Sequence, residues 1–170
     1  MPIDFPKFSQ TVKPIDKFGI VDPDDKDGKK PAKIVYDNNE VWGVTVICNN
    51  RDDYRFIPVD NNIPITKIND EGVEETASSC DAIVYSNNTI CLIELKNTKT
   101  SASLNHAMEQ LESTIIFAKN FIDGFKFKKA YISNIGQPRF NKMFCNTQRD
   151  FYKRNKIILQ VSTTIIEELH

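Results

Sequence analysis

The stretch "CDAIVYSNNTICLIELKN", Cys80 to Asn97, decides how this chain is read. Two apolar runs flank a polar Ser86–Asn88 segment, and asparagine tolerates the positive φ of a tight turn. The stretch is therefore expected to be a β-hairpin. Side chains alternate along a strand, so Glu94 and Lys96 share one face and Leu95 takes the other. Counting back from the turn sets Asp81 opposite the Glu94–Lys96 end. The second strand is apolar almost throughout, which predicts burial on both faces and a central place in its sheet.

Two carboxylates about 4 Å apart repel by about 4 kcal/mol at an effective dielectric of ~20. One lysine relieves part of that. A hard divalent cation relieves it fully, and oxygen ligands of this kind suit Mg²⁺ or Mn²⁺. The Leu95 carbonyl offers a further oxygen. Lys96 then faces the same water and can orient it or steady charge on a phosphate. The plain alternative is a salt bridge at a sheet edge. An apolar central strand weighs against it, because Lys and Glu avoid burial unless they are paired or functional.

Downstream of the hairpin, Leu104, Ala107, Met108, Leu111, Ile115, Ala118 and Ile122 recur at helical spacing and define one apolar helix face. Ser101 or Ser103 can cap its start, and Gly124 stops it. "KFKKAYISNI" reads as a strand, "RFNKMFCNTQRDFYKRN" as a basic helix and "KIILQVSTTI" as one more strand. Upstream, "VWGVTVICNN" (41–50) is β-branched and reads as a strand. Residues 1–33 are rich in Pro, Asp, Lys and Gly and read as a loop or extended segment. Residues 34–170 form the single expected domain, an α/β fold with a mixed central β-sheet flanked by helices. Within the first segment, "VDPDDKDGKKP" has the alternating aspartates of a calcium loop, but its Gly and distal Glu are misplaced. Trp42, Tyr54 and Phe56 are expected to pack in the core.

The chain has 170 residues, 40% hydrophobic and 26% charged, the composition of an ordinary globular domain. No apolar run nears the ~20 residues that span a bilayer, and the start lacks a signal-peptide pattern. Cys48, Cys80, Cys91 and Cys145 have no metal-site spacing and read as free thiols, so a cytoplasmic location without a membrane partner is expected. The net charge of −1 hides an uneven spread. Residues 1–95 carry −7 and residues 96–156 carry +8. That asymmetry points to an anionic partner for the second half.

An Asp opening a strand, an apolar hairpin and a closing E-x-K resemble motifs II and III of the PD-(D/E)XK, or restriction-endonuclease-like, nuclease superfamily. Asp81, Glu94 and Lys96 match that pattern, and Gln110 in "MEQLEST" matches the glutamine of the helix that follows. Cys80 replaces the usual proline. The resemblance covers about residues 74–135 and implies a restriction-endonuclease-like core. It implies metal-assisted hydrolysis of a phosphodiester, DNA being the expected substrate. Asp81 and Glu94, with the Leu95 carbonyl, would bind Mg²⁺ or Mn²⁺. Lys96 would position the water, and Gln110 would touch the water or the phosphate. The family's upstream Glu falls to Glu75, with Glu74 and Glu40 as alternatives. Lys99, Lys126, Lys128, Lys129, Arg139, Lys142, Arg149, Lys153 and Arg154 would track the backbone phosphates. His106, one turn before Gln110, reads as a helix-surface residue. The small size implies a homodimer or larger complex that supplies specificity, and bacterial defence is one setting for such an enzyme. Two other readings compete: a catalytically idle nuclease-fold subunit that binds nucleic acid or protein, and an α/β interaction protein whose Glu94–Lys96 pair is only a salt bridge.

Overall fold

A computed structural model describes residues 2–23, 30–49, 53–97, 102–136 and 144–166. After a 3-10 turn at Phe5–Phe8, the strands of the first half are β1 (Gln10–Thr11), β2 (Lys17–Val21), β3 (Lys33–Val35), β4 (Val44–Ile47), β5 (Arg55–Pro58), β6 (Thr66–Ile68) and β7 (Glu74–Thr76). The second half runs β8 (Ala82–Tyr85), β9 (Thr89–Lys96), α1 (Ala102–Phe117), α2 (Lys119–Ile122), β10 (Phe127–Asn134), α3 (Phe144–Asn155), β11 (Ile158–Val161) and β12 (Thr164–Ile166). The fold is mixed α/β, with a six-stranded sheet in the order β1-β5-β8-β9-β10-β11. A second sheet runs β12-β4-β2-β3, and β6 and β7 form a separate two-stranded hairpin.

The expected hairpin is β8 and β9, antiparallel, with Ala82 opposite Ile93 and Tyr85 opposite Ile90. The Ser86 N–H closes the turn on the Thr89 carbonyl. β9 lies inside the large sheet, and its Thr89–Leu95 side chains are buried. β10 pairs parallel with β9 along its whole length, Phe127 beside Thr89 and Asn134 beside Lys96. Such a parallel pair needs a crossover, and α1 with α2 supplies it.

Period-two alternation splits the core into two layers. Ile90 and Leu92 of β9 join Ile83, Ala107, Leu111, Ile115 and Ile132 on the helical side. Cys91, Ile93 and Leu95 join Phe18, Ile20, Val44 and Val46 of the second sheet on the other. The large sheet is thus covered by helices on one face and by a smaller sheet on the other.

Several expectations are corrected. The segment 1–33, read as a loop or extended segment outside the domain, contains β1 and β2, and β2 buries Phe18, Ile20 and Val21 beneath the large sheet. Its strand character was masked by flanking Lys, Asp and Pro. Much of the calcium-loop-like stretch lies outside the described residues. "KIILQVSTTI" is two strands: β11 ends the large sheet, the chain bends at Ser162, and β12 pairs with β4 of the other sheet. The strand read over 41–50 is confined to Val44–Ile47. Tyr54 and Phe56 are buried as expected, while Trp42 is half-buried over Gly19 and donates its indole N–H to the Asp37 carbonyl.

Candidate functional site

The site sits where β8 begins and β9 ends. Continuing the hairpin register one step past Ala82–Ile93 brings Asp81 opposite Glu94. The parity of Ile83, Leu92 and their neighbours turns both carboxylates, and Lys96, toward α1. Lys96 Nζ lies 2.6 Å from Glu94 Oε1 and donates to Gln110 Oε1 at 2.9 Å. Gln110 is held in turn by its Nε2, which donates to the Ser79 carbonyl at 3.1 Å. Thr114, one turn further on α1, accepts the Cys80 N–H at 2.8 Å and donates to the Gln110 carbonyl. The helix is thereby stapled to the chain entering β8. Asp81, Glu94, Lys96 and Gln110, drawn from three elements, meet at one end of the sheet.

The electrostatics are unfavourable as they stand. Glu94 is 1% exposed, and neither of its oxygens receives a well-directed hydrogen bond despite the nearby ammonium. Burial, then the Asp81 charge, pushes its carboxyl well above the usual range, and Lys96 only partly offsets this. Burial likewise raises Asp81 to about 7, although the Leu95 N–H donates to its Oδ2 at 2.6 Å. Burial also pushes the Cys80 thiol up, so it is no nucleophile.

Two further carboxylates bear on this pair, and sequence reading missed both. Asp22 follows β2 and Asp60 follows β5; after burial, the charges of both raise Asp81, and that of Asp60 adds to Asp81's in raising Glu94. Asp60 accepts the Ser79 hydroxyl at 3.3 Å, and its N–H donates to the Cys80 carbonyl beside Asp81. Nothing local marks either residue, because both are brought in by strands distant in sequence. Glu75, the expected upstream ligand, sits on β7 and pairs with Lys67, and Glu74 accepts from Thr66. Both belong to the separate β6–β7 hairpin, so neither completes the site. Glu40 pairs with Lys33 but lines an open cleft of about 550 Å³ together with Asp22, Lys96 and Asn97.

The basic residues divide. Phe127 pairs with Thr89 and Lys129 with Cys91, so Lys126, Lys128 and Lys129 lie at the turn end of the hairpin. At ~3.3 Å per residue that is about 17–26 Å from Lys96. The expected phosphate track therefore does not run past the carboxylates at these positions. Arg149 is exposed on α3, Lys153 pairs with Asp150, and Arg154 pairs with Glu112. His106 is exposed near Glu109. Lys99, Arg139 and Lys142 lie outside the described residues.

The donor set fits a hard cation. Neither oxygen of the buried Glu94 receives a well-directed hydrogen bond, Asp81 beside it accepts the Leu95 N–H, and a cation held by one or two carboxylates plus water is the habit of Mg²⁺. Among the described residues no group of three or more His, Cys, Asp or Glu side chains is placed to hold a metal ion, so any cation would rest on the Asp81–Glu94 pair and water. Among them, too, no helix is long and apolar enough to cross a membrane. Neither a family model, nor a curated protein, nor a solved structure matches the chain, so the nuclease resemblance rests on its motif residues alone.

Proposed function

We propose that the protein is a metal-dependent nuclease with a restriction-endonuclease-like core, hydrolysing phosphodiester bonds, with DNA as the substrate. The observation that carries this reading is the meeting of Asp81, Glu94, Lys96 and Gln110 at the end of a buried hairpin, with two Glu94 oxygens left unsatisfied. A salt bridge alone gives a poor account of it. Burying a Glu–Lys pair costs more than it returns unless the remaining lone pairs are bonded, and here they are not.

Asp81 and Glu94 would hold Mg²⁺ or Mn²⁺, with the Leu95 carbonyl as a further oxygen and water completing the shell. The bound ion would supply Lewis-acid polarisation of the phosphate and a more acidic water. Lys96, steered by Glu94 and Gln110, presents its remaining N–H to the water or the phosphate oxygens. Gln110 fixes the lysine rotamer through the Ser79 carbonyl. A homodimer or larger complex would add specificity.

The test is cleavage of plasmid and single-stranded DNA with Mg²⁺, Mn²⁺ or EDTA. Wild type should cut only with metal, and Lys96→Ala should lose a factor of about 10²–10⁴, the range for a positioned proton-transfer or charge-stabilising group. Cutting that survives EDTA or the substitution overturns the reading. Absence of cutting in every metal does the same.

A further inference from the structure

The second sheet is narrower than the first and leaves part of it uncovered. On the side facing it, β10 and β11 present Lys129 beside Ile158 and Tyr131 beside Gln160. Alternation confirms the face, since Ala130, Ile132 and Leu159 point to the helical core instead. β12, the edge of the smaller sheet, forms one wall through Thr164 and Ile166. The chain leaving α3 supplies Tyr152 and Lys156, and the start of β10 adds Lys126 and Lys128. The result is an open cleft of about 690 Å³ whose lining, among the described residues, contains four lysines and no carboxylate.

These groups are free to act. Among the described residues, Lys126, Lys129 and Lys156 have no ion-pair partner, and Lys128 reaches only the exposed Asp123 at 3.6 Å. Tyr152 is 49% exposed, with Lys156 Nζ 5.9 Å from its ring centroid. Ile158 and Ile166 are also about half exposed. Unpaired lysines beside an exposed aromatic ring and apolar side chains match a ligand that alternates anionic and flat apolar parts. Phosphates suit the ammonium groups, and an unstacked base suits the Tyr152 face and the isoleucines. The volume lies within the ~300–1,000 Å³ typical of ligand clefts, and an exposed ring such as Tyr152 takes a base only where it is unstacked.

We propose that this cleft binds single-stranded nucleic acid, its phosphates on Lys126, Lys129 and Lys156 and a base against Tyr152. The cleft shares no residue with the Asp81–Glu94 cluster and opens on the other face of the β9–β10 ladder, with Lys126 and Lys129 toward its turn end. It stands whether or not the protein cuts.

The probe is fluorescence anisotropy of a labelled mixed-sequence single-stranded 12-mer in EDTA, over a salt series. Replacing Lys126, Lys129 and Lys156 together by Gln should weaken binding at least tenfold and lower the slope of log K against log salt by about 2, from three lost phosphate contacts at ~0.7 each. Tyr152→Leu, at an exposed position, should weaken it roughly five- to 150-fold with the salt slope unchanged. Lys67→Gln, on the separate β6–β7 hairpin, should leave binding intact. Circular dichroism of each variant checks the fold. Unchanged affinity in Tyr152→Leu and in the lysine variant overturns the proposal. So does equal competition by poly-glutamate, which would make the cleft a general polyanion surface, or tighter binding to anionic vesicles than to the oligonucleotide. Cleft binding by wild type together with metal-dependent cutting lost in Lys96→Ala supports both this inference and the nuclease reading; cleft binding without any cutting refutes the latter alone.

Discussion

Asp81→Asn tests the electrostatic account of the carboxylate cluster through folding stability. In the folded chain this carboxyl keeps its proton up to about pH 7, whereas its ordinary value is 3.8. Between those limits the folded state holds a proton that the unfolded state has released, so stability falls as pH rises. It levels out below the lower limit, where both states are protonated, and above the upper one, where both are ionised. The separation of about three pH units caps the contribution at about 4 kcal/mol. Asparagine is the apt replacement, because its oxygen can still accept the Leu95 N–H that Asp81 takes at 2.6 Å. Urea unfolding of both proteins in EDTA from pH 4.5 to 8.5 gives the difference curve. Wild-type stability relative to the variant should drop by between about 1 and 4 kcal/mol across that range. Glu94 is shifted in the same direction, so the variant retains a shallower fall of its own. Mg²⁺ should stabilise wild type at pH 8, by about 1.4 kcal/mol at ten times its Kd, and the variant less. Parallel curves, or a wild-type stability that rises through this window, would refute the assignment of a buried, proton-retaining Asp81.

Two other substitutions probe what holds the site in place. Thr114→Val keeps the side-chain shape but strips the acceptor from the buried Cys80 N–H, and should cost about 1–3 kcal/mol by thermal unfolding. Gly19→Ala would put a Cβ 2.3 Å from the Trp42 ring, forcing the indole off the strand; a loss of about 1–3 kcal/mol with a changed tryptophan emission is the expected signature.

The hairpin was legible because every signal for it is local: a turn of three polar residues, alternation on both sides and charge at the strand end. The helix bearing Gln110 was legible for the same reason, since its apolar spacing is uninterrupted over Leu104–Ile115. What sequence could not show was set by distant pairing. Asp60 and Asp22 reach the cluster because β5 and β2 end there, and neither strand carries a mark of its destination. Glu75 looked suitable by proximity along the chain, yet the β6–β7 hairpin carries it elsewhere. The lysines of "KFKK" were expected to track phosphates, and the parallel register of β10 puts them at the turn end, away from the E-x-K end. Parallel pairing reverses which residues are close, and composition is blind to it.

β12 has a consequence for how the chain matures. Its residues 164–166 pair with β4, formed from residues 44–47, so the smaller sheet recruits strands from opposite ends of the described chain. Contacts this far apart form late and slowly. While residues 164–166 are still being synthesised, β4 has an open edge, and Val46 lacks its neighbour Ile165. A nascent or truncated chain would thus expose an unpaired strand next to the layer that delivers Asp22. Ribosome-bound chains halted before residue 164 should be cut by proteases within residues 30–49, and release of the full strand should protect them.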